Sequence, residues 1–203
     1  MNRHNVIRLD IQSFLFQKSY LNIFIDKIQE FVIRDLETEY GKCFVQDQYG
    51  LPGVLRQIYA QTQKGFIFII DEWDCVFRFA KNETEIQRAY LNFLRGLFKG
   101  AEYVELAYMT GILPIKKYGD HSAINIFNEY SMIEPRDLGT YFGFTKEEVW
   151  EECQKHGVDY EEMKRWYDGY QLDTLSVYNP KSVVNFLYSI TSGVRVHIQC
   201  GFQ

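Results

Sequence analysis

The sequence predicts an α/β domain built on a parallel sheet, followed by a smaller helical unit. Phe66-Ile67-Phe68-Ile69-Ile70 is a run of five large apolar residues without alternation, the pattern of a strand covered on both faces at the centre of a parallel sheet. Segments with helical periodicity separate it from two other strand-like stretches, so the first half alternates strand, helix, helix, strand, helix, strand. From Pro135 onward the signals become helical and short.

The first strand-like stretch is Val6-Ile7-Arg8-Leu9-Asp10-Ile11. Leu21, Phe24, Ile25, Ile28, Phe31, Val32 and Leu36 then recur every three or four residues and predict an amphipathic helix of about five turns. A second helix follows Gly50-Leu51-Pro52-Gly53, with Val54, Leu55, Ile58 and Tyr59 on one side and a stop at Gly65. Beyond the central strand a third helix runs from about Asn82, turns Ile86, Tyr90, Phe93, Leu94 and Leu97 inward, and ends at Gly100. Tyr103 to Met109 is the next strand, closed by Thr110-Gly111.

In the second half, Thr145 with Glu148 and Asp159 with Glu162 have the spacing of capping boxes, with stops at Gly157 and Gly169. Asn179-Pro180 places an N-cap before a proline at the first helical position, and Val183, Val184 and Leu187 supply the apolar face. No Gly/Ser/Pro-rich linker divides the halves, so tight packing between them is expected. Residues 1–130 are expected to form the core, 131–190 a helical subdomain and 191–203 a loose tail.

Composition sets the outer bounds. A chain of 203 residues that is 46% apolar and 17% aromatic can bury a core and is not a disordered segment. The formal charge of −5 argues against a general nucleic-acid surface, which needs a basic face. No stretch has the length and apolarity of a membrane span, and Met1-Asn2-Arg3-His4-Asn5 runs into a strand without a signal-peptide core, so a cytoplasmic location is expected. Cys43, Cys75, Cys153 and Cys200 form no Cys-x-x-Cys pair and the four histidines are equally scattered. Free thiols in a reducing compartment are expected rather than zinc.

The central strand ends at Asp71-Glu72-Trp73-Asp74. In open α/β sheets ligands bind outside the carboxyl ends of the strands, so these carboxylates stand where such sheets do chemistry. An apolar strand ending in Asp-Glu has the form of a Walker B element, in which the Asp helps hold Mg²⁺ and the Glu orients the attacking water. The plain alternative is a buried strand followed by a solvated turn. Thr110 ends the other polar strand and reads either as a sensor beside the carboxylates or as a turn residue. Asp74 is either a third carboxylate for one or two divalent metals, as in a nuclease, or a cap for the next turn. Lys116-Lys117-Tyr118-Gly119 offers cations to phosphates or forms a solvated loop. Trp166-Tyr167-Asp168-Gly169-Tyr170 reads as a packing anchor ahead of a base-stacking platform. A Gly-x-x-x-x-Gly-Lys-[Ser/Thr] phosphate loop does not occur in these 203 residues.

Five ordered motifs carry a family resemblance: Phe66 to Asp74; Tyr108-Met109-Thr110-Gly111-Ile112-Leu113-Pro114-Ile115-Lys116-Lys117-Tyr118-Gly119; Gly143-Phe144-Thr145-Lys146-Glu147-Glu148-Val149; Trp166 to Tyr170; and Tyr178-Asn179-Pro180-Lys181-Ser182-Val183. With them the chain resembles the bacterial AAA-ATPase-like family, whose full-length members often carry a PD-(D/E)XK nuclease-like domain at the C-terminus. The resemblance implies a P-loop NTPase-like core with Mg²⁺ and ATP as cofactor and nucleotide partner. It assigns Asp71 to the metal side, Glu72 as the catalytic carboxylate and Thr110 as the sensor. It also implies that strand 1 and the P-loop precede the segment matching Val6 to Asp10, so this sequence reads as a truncated or frame-shifted form of a longer gene. Two other readings follow from the residues: a non-catalytic interaction module or inert remnant, binding a protein partner or itself, and a metal-dependent nuclease using Asp71, Glu72 and Asp74.

Overall fold

In the computed structural model of the chain, residues 4–15, 21–42, 50–114, 126–131, 134–166, 169–172 and 175–191 are described. The chain divides into two compact units, Met1–Asn128 and Glu129–Gln203. Among the described residues no helix is long and apolar enough to cross a membrane.

The first unit is a three-stranded, wholly parallel sheet in the order β1 (Asn5–Asp10), β2 (Phe66–Asp71), β3 (Val104–Met109). Two helices, α1 (Phe24–Tyr40) and α2 (Gly50–Thr62), make the first crossover, and α3 (Cys75–Phe79) and α4 (Thr84–Phe98) make the second. Strand order rises steadily along the chain. Because parallel crossovers are right-handed, two successive steps in the same direction bring their helices to the same side of the sheet. One contiguous core accordingly joins Ile7 and Leu9 of β1 and Phe66, Phe68 and Ile70 of β2 to Phe24, Ile28, Val32 and Leu36 of α1, Leu51, Val54, Leu55 and Ile58 of α2, and Tyr90, Leu94 and Leu97 of α4.

The expectation that β2 is covered on both faces is therefore corrected. Phe66, Phe68 and Ile70 are buried, whereas Ile67 and Ile69, on the other face, are only partly covered. Their register partners on that face are more exposed still: Val6 pairs with Ile67 and Ile67 with Leu106, and Ile69 pairs with Tyr108. Val6 is 61%, Leu106 54% and Tyr108 49% exposed.

Local chemistry sets the boundaries. A register shift between Phe66 and Ile67 opposes Glu105 to no partner, which returns Val104, Ala107 and Met109 of β3 to the core side. The second helix ends at Thr62, and Gln63, at φ 54°, takes the left-handed turn. Gly65, expected to stop it, lies beyond, where a Cβ would run into the Glu105 side chain. The short helix α3 was not foreseen; Cys75, Val76 and Phe77 bury it.

The second unit is not wholly helical. It holds a small antiparallel sheet in the order β4 (Phe144–Thr145), β6 (Leu175–Tyr178), β5 (Tyr170–Leu172), together with α5 (Lys146–His156), α6 (Tyr160–Trp166) and α7 (Pro180–Thr191). The Thr145/Glu148 capping box forms, and Gly157 ends α5 in the left-handed region at φ 66°. Asp159 accepts from the Glu161 N–H at 3.1 Å. Asn179 Oδ1 accepts from the Lys181 and Ser182 N–H groups ahead of α7. Val149, Cys153, Val158, Met163, Tyr178, Val183 and Phe186 form this unit's own core.

Candidate functional site

The site is the carboxyl end of β2 and β3. Backbone pairing continues past the strands there: Thr110 N–H donates to the Ile70 carbonyl at 2.8 Å and Trp73 N–H to the Thr110 carbonyl at 3.0 Å. These two bonds tie the turn after β2 to the turn after β3. As a result Thr110 stands directly beside Asp71, and its hydroxyl donates to Asp71 Oδ1 in a short hydrogen bond. Asp71 Oδ1 also accepts the Glu72 N–H at 3.1 Å. Sequence reasoning paired these two residues only on the condition that their strands were neighbours; the β2–β3 ladder meets that condition.

Glu72 has φ 53°. A non-glycine residue in the left-handed region is uncommon and costs on the order of 1 kcal/mol or more, and such positions cluster at functional sites. The conformation lets the chain turn sharply into α3, with Cys75 N–H donating to the Glu72 carbonyl at 3.0 Å. It also directs the Glu72 carboxylate to Arg78 in the last turn of α3, where the two form a close ion pair.

Asp74 is 0% exposed. It occupies the position before α3 but makes no capping bond to that helix. Its Oδ2 instead accepts the Leu113 N–H at 3.1 Å and lies 3.3 Å from Arg78 Nε. Asp74 Oδ1 is buried without a hydrogen-bond partner among the described residues, as is the hydroxyl of Tyr90. Burial pushes the Tyr90 phenol well above its ordinary range, with Cys75 and Asp74 adding to the shift. Gly111 closes the site from the β3 side. A Cβ on it would stand 2.6 Å from Asp74 Oδ1 and 2.6 Å from Trp73 Cδ1, so no larger residue fits the turn as it stands.

Arg78 thus stands between two acids, and the five residues fall into two groups: Asp71 with Thr110, and Glu72 with Arg78 and Asp74. The three carboxylates of the nuclease reading are not gathered; among the described residues no group of three or more His, Cys, Asp or Glu side chains is placed to hold a metal ion. The oxygens Asp71 offers, with the Thr110 hydroxyl beside them, are hard donors of the kind Mg²⁺ takes from a protein that supplies only one or two ligands.

Two residues here were missed by sequence reasoning. Asp10 ends β1 directly opposite Asp71; its carboxylate accepts the Gln12 N–H at 3.0 Å and caps the turn that follows. Its signal was available, since both strand-like runs carry an Asp at or next to their carboxyl end. Arg78 had no such signal, being six residues from Glu72 in a segment too short to show a period. Lys116-Lys117-Tyr118-Gly119 lies outside the described residues, as do Tyr167 and Asp168 of the aromatic cluster. Cys75 and Cys153 are free and buried.

No family model matches the chain, and no solved structure matches it. A curated protein of Azotobacter chroococcum mcd 1, described as an uncharacterized protein in the vnfD 5' region, is similar to it at 26% identity over 133 residues, 63% of this chain and 25% of that protein. The chain thus spans about a quarter of the length of the curated relative it matches.

Proposed function

We propose that the carboxyl end of β2 and β3 is the metal-and-water side of a Mg²⁺-dependent ATP-hydrolysing site in a P-loop NTPase-like core, as in the AAA-ATPase-like family that the sequence resembles. The observation that carries this reading is the hydrogen bond from Thr110 to Asp71 across two adjacent parallel strands. It brings a strand-end carboxylate and a strand-end hydroxyl together at the edge where open α/β sheets bind ligands.

In this reading Asp71 holds the metal side. Both hydrogen bonds it accepts among the described residues fall on Oδ1, which would leave Oδ2 for a cation. Thr110 fixes the Asp71 rotamer and supplies a second oxygen next to it. Glu72 follows Asp71 directly and orients a water for in-line attack. Asp71, with the Thr110 hydroxyl beside it, would hold Mg²⁺, which would supply charge neutralisation at the phosphate. These residues leave the phosphate cradle unsupplied, because no Gly-x-x-x-x-Gly-Lys-[Ser/Thr] segment occurs in the sequence, and nucleotide affinity in this chain is expected in the millimolar range. The cytoplasm is the compartment that fits free thiols and a nucleotide partner.

The test is thermal unfolding with Mg²⁺ and ATP titrated together. A ligand that binds only the folded state adds RT ln(1 + [L]/Kd), about 1.4 kcal/mol at ten times its Kd, so the midpoint should climb by a few degrees with Mg²⁺-ATP, fail to climb with ATP and a chelator, and fail to climb in Asp71→Asn. An unmoved midpoint across millimolar Mg²⁺-ATP would sink the reading.

A second reading, a non-catalytic interaction module, is favoured by the open sheet face bearing Val6, Leu106 and Tyr108. It predicts self-association or partner binding through that face with no response to nucleotide.

A further inference from the structure

We propose that the groove between the carboxyl-terminal half of α2 and the turn from α4 into β3 is a binding site for a small zwitterion. Its ligand carries an ammonium and a carboxylate on a compact apolar body, as in an apolar amino acid or the dipeptide made from it. The groove lies at the amino ends of β2 and β3, the opposite edge of the sheet from Asp71 and Thr110, and is independent of the reading proposed for those residues.

The groove has a volume of about 640 Å³, within the range of small-molecule sites. Along one wall Arg56, Tyr59 and Ala60 recur at helical spacing, with Gln63 just beyond the helix end; Glu102 and Tyr103 belong to the other. Tyr103 is a fixed floor, fully buried, its hydroxyl donating to the Leu97 carbonyl at 2.6 Å. Burial raises the Tyr103 phenol and the Arg56 guanidinium opposes that rise, so this cation stands within electrostatic reach of the floor. Arg56 and Glu102 are exposed and opposite in charge, and their side chains form no ion pair or hydrogen bond among the described residues. The helices add a second field. α2 ends at Thr62 and α4 at Phe98, and Gln63 (φ 54°) and Gly100 (φ 64°) turn the chain out of them. Both therefore bring their carbonyl ends here, where the macrodipole favours a cation. Gln63 Nε2 donates to the Tyr59 and Ala60 carbonyls, which leaves its Oε1 as a further acceptor. A simple anion is disfavoured by Glu102 and two helix ends, and a simple cation by Arg56. A zwitterion answers both: its ammonium goes to Glu102 and the helix ends, and its carboxylate to Arg56, about 9 Å of helix rise before the end of α2. A guanidinium takes a carboxylate through two parallel N–H···O bonds, and the apolar body lies against the half-buried Tyr59 ring.

The probes are L-phenylalanine and glycyl-L-phenylalanine, with phenethylamine lacking the carboxylate and N-acetyl-L-phenylalanine lacking the ammonium. Each is titrated into the full chain, labelled with nitrogen-15 and followed by its amide shifts. At least one zwitterion should shift the Gln63 and Gly100 amides with a Kd on the order of a millimolar, the affinity a ligand of this size reaches. The tighter of the two identifies the source of the shared chemistry. Each single-charge analogue should bind about tenfold more weakly. Arg56→Gln should weaken the zwitterion about tenfold and leave phenethylamine within about twofold; Glu102→Gln should do the same, sparing N-acetyl-L-phenylalanine. Ala60→Phe, at an exposed position, fills the groove and should abolish binding with both charges in place. Thermal melts establish that each variant is folded, and if one is not, the comparison of analogues on the wild type decides alone. Binding of neither zwitterion at tens of millimolar, shifts confined to other residues, equal affinity for zwitterion and analogues, or undiminished binding by folded Ala60→Phe would overturn the proposal. None of these results would touch the Asp71 reading.

Discussion

Gly111→Ala and Gly96→Ala are the same chemical change with opposite expected signs, and the difference is set by what a methyl group meets. At Gly111 a Cβ would lie 2.6 Å from Asp74 Oδ1, 2.6 Å from Trp73 Cδ1 and 2.7 Å from Trp73 Nε1. All three distances are about an ångström short of ordinary contact. Neither obstacle is a free side-chain end. Asp74 is buried, hydrogen-bonded to Leu113 and ion-paired with Arg78, and Trp73 is buried and packs edge-on against Phe77 at 5.5 Å. Overpacking against fixed neighbours costs typically 1–3 kcal/mol, and the upper half of that range, about 2–3 kcal/mol, is expected here. At about 4 °C per kcal/mol for a unit of this size, the midpoint should fall by roughly 10 °C. Gly96 sits exposed within α4, with nothing within 4 Å of its Cβ. Alanine there should stabilise by about 0.5–1 kcal/mol, a rise of a few degrees. Circular dichroism melts of the two variants and the wild type make the comparison. If Gly111→Ala lies within about 0.5 kcal/mol of wild type, the turn is looser than its geometry states.

Asp74→Ala strips a buried acceptor from Leu113 and one partner from Arg78, and should cost about 3 kcal/mol in urea unfolding. Tyr90→Phe removes a buried hydroxyl that bonds to nothing among the described residues, and is expected to be neutral or stabilising by up to about 1 kcal/mol in the same assay, where a loss above that would reveal a partner. Burial pushes the Cys75 thiol from 9.0 to about 12, with Arg78 opposing the shift, and raises the Tyr103 phenol from 10.0 to about 12. The unfolded chain therefore gives up these protons first, so stability is intact below about pH 9 and falls between about pH 9 and 12; Cys75→Ala should flatten that fall by up to about 1.4 kcal/mol per pH unit. Leu106→Gln and Tyr108→Gln, on the open sheet face, should each change stability by less than about 0.5 kcal/mol and lower self-association seen by light scattering; a large stability loss would mean that the face is covered.

The legible part of the fold was the part with period and punctuation. Two apolar runs each ended in a polar residue, helical segments lay between them, and parallel pairing then brought Asp71 to Thr110. The remainder was hidden for definite reasons. Five residues of α3 make little more than one turn, below any window in which a 3.6-residue period can be seen. The strands β4, β5 and β6, of two to four residues, are too short for alternation, so the second unit read as helical. Asp74 reads in the sequence as a metal carboxylate or a cap for the next turn because carboxylates are rarely buried unless paired, and its partner Arg78 is fixed only by the tertiary turn. A register irregularity such as the one at Glu105 reverses inside and outside partway along a strand and leaves no mark in composition.

The run Phe66 to Ile70 misled most usefully. Five apolar residues in a row do imply a strand meant for cover on both sides, yet the second side of β2 is only half-covered. The cause is topological. Steps from β1 to β2 and from β2 to β3 go the same way across the sheet, and right-handed crossovers then place the crossover helices on one face. Covering the other face takes a crossover in the reverse direction, and a reversal of strand order is also what opens a ligand crevice at the carboxyl edge of such sheets. The exposed row of Val6, Leu106 and Tyr108 and the polar row of Asp71 and Thr110 at its end are therefore linked features of one face.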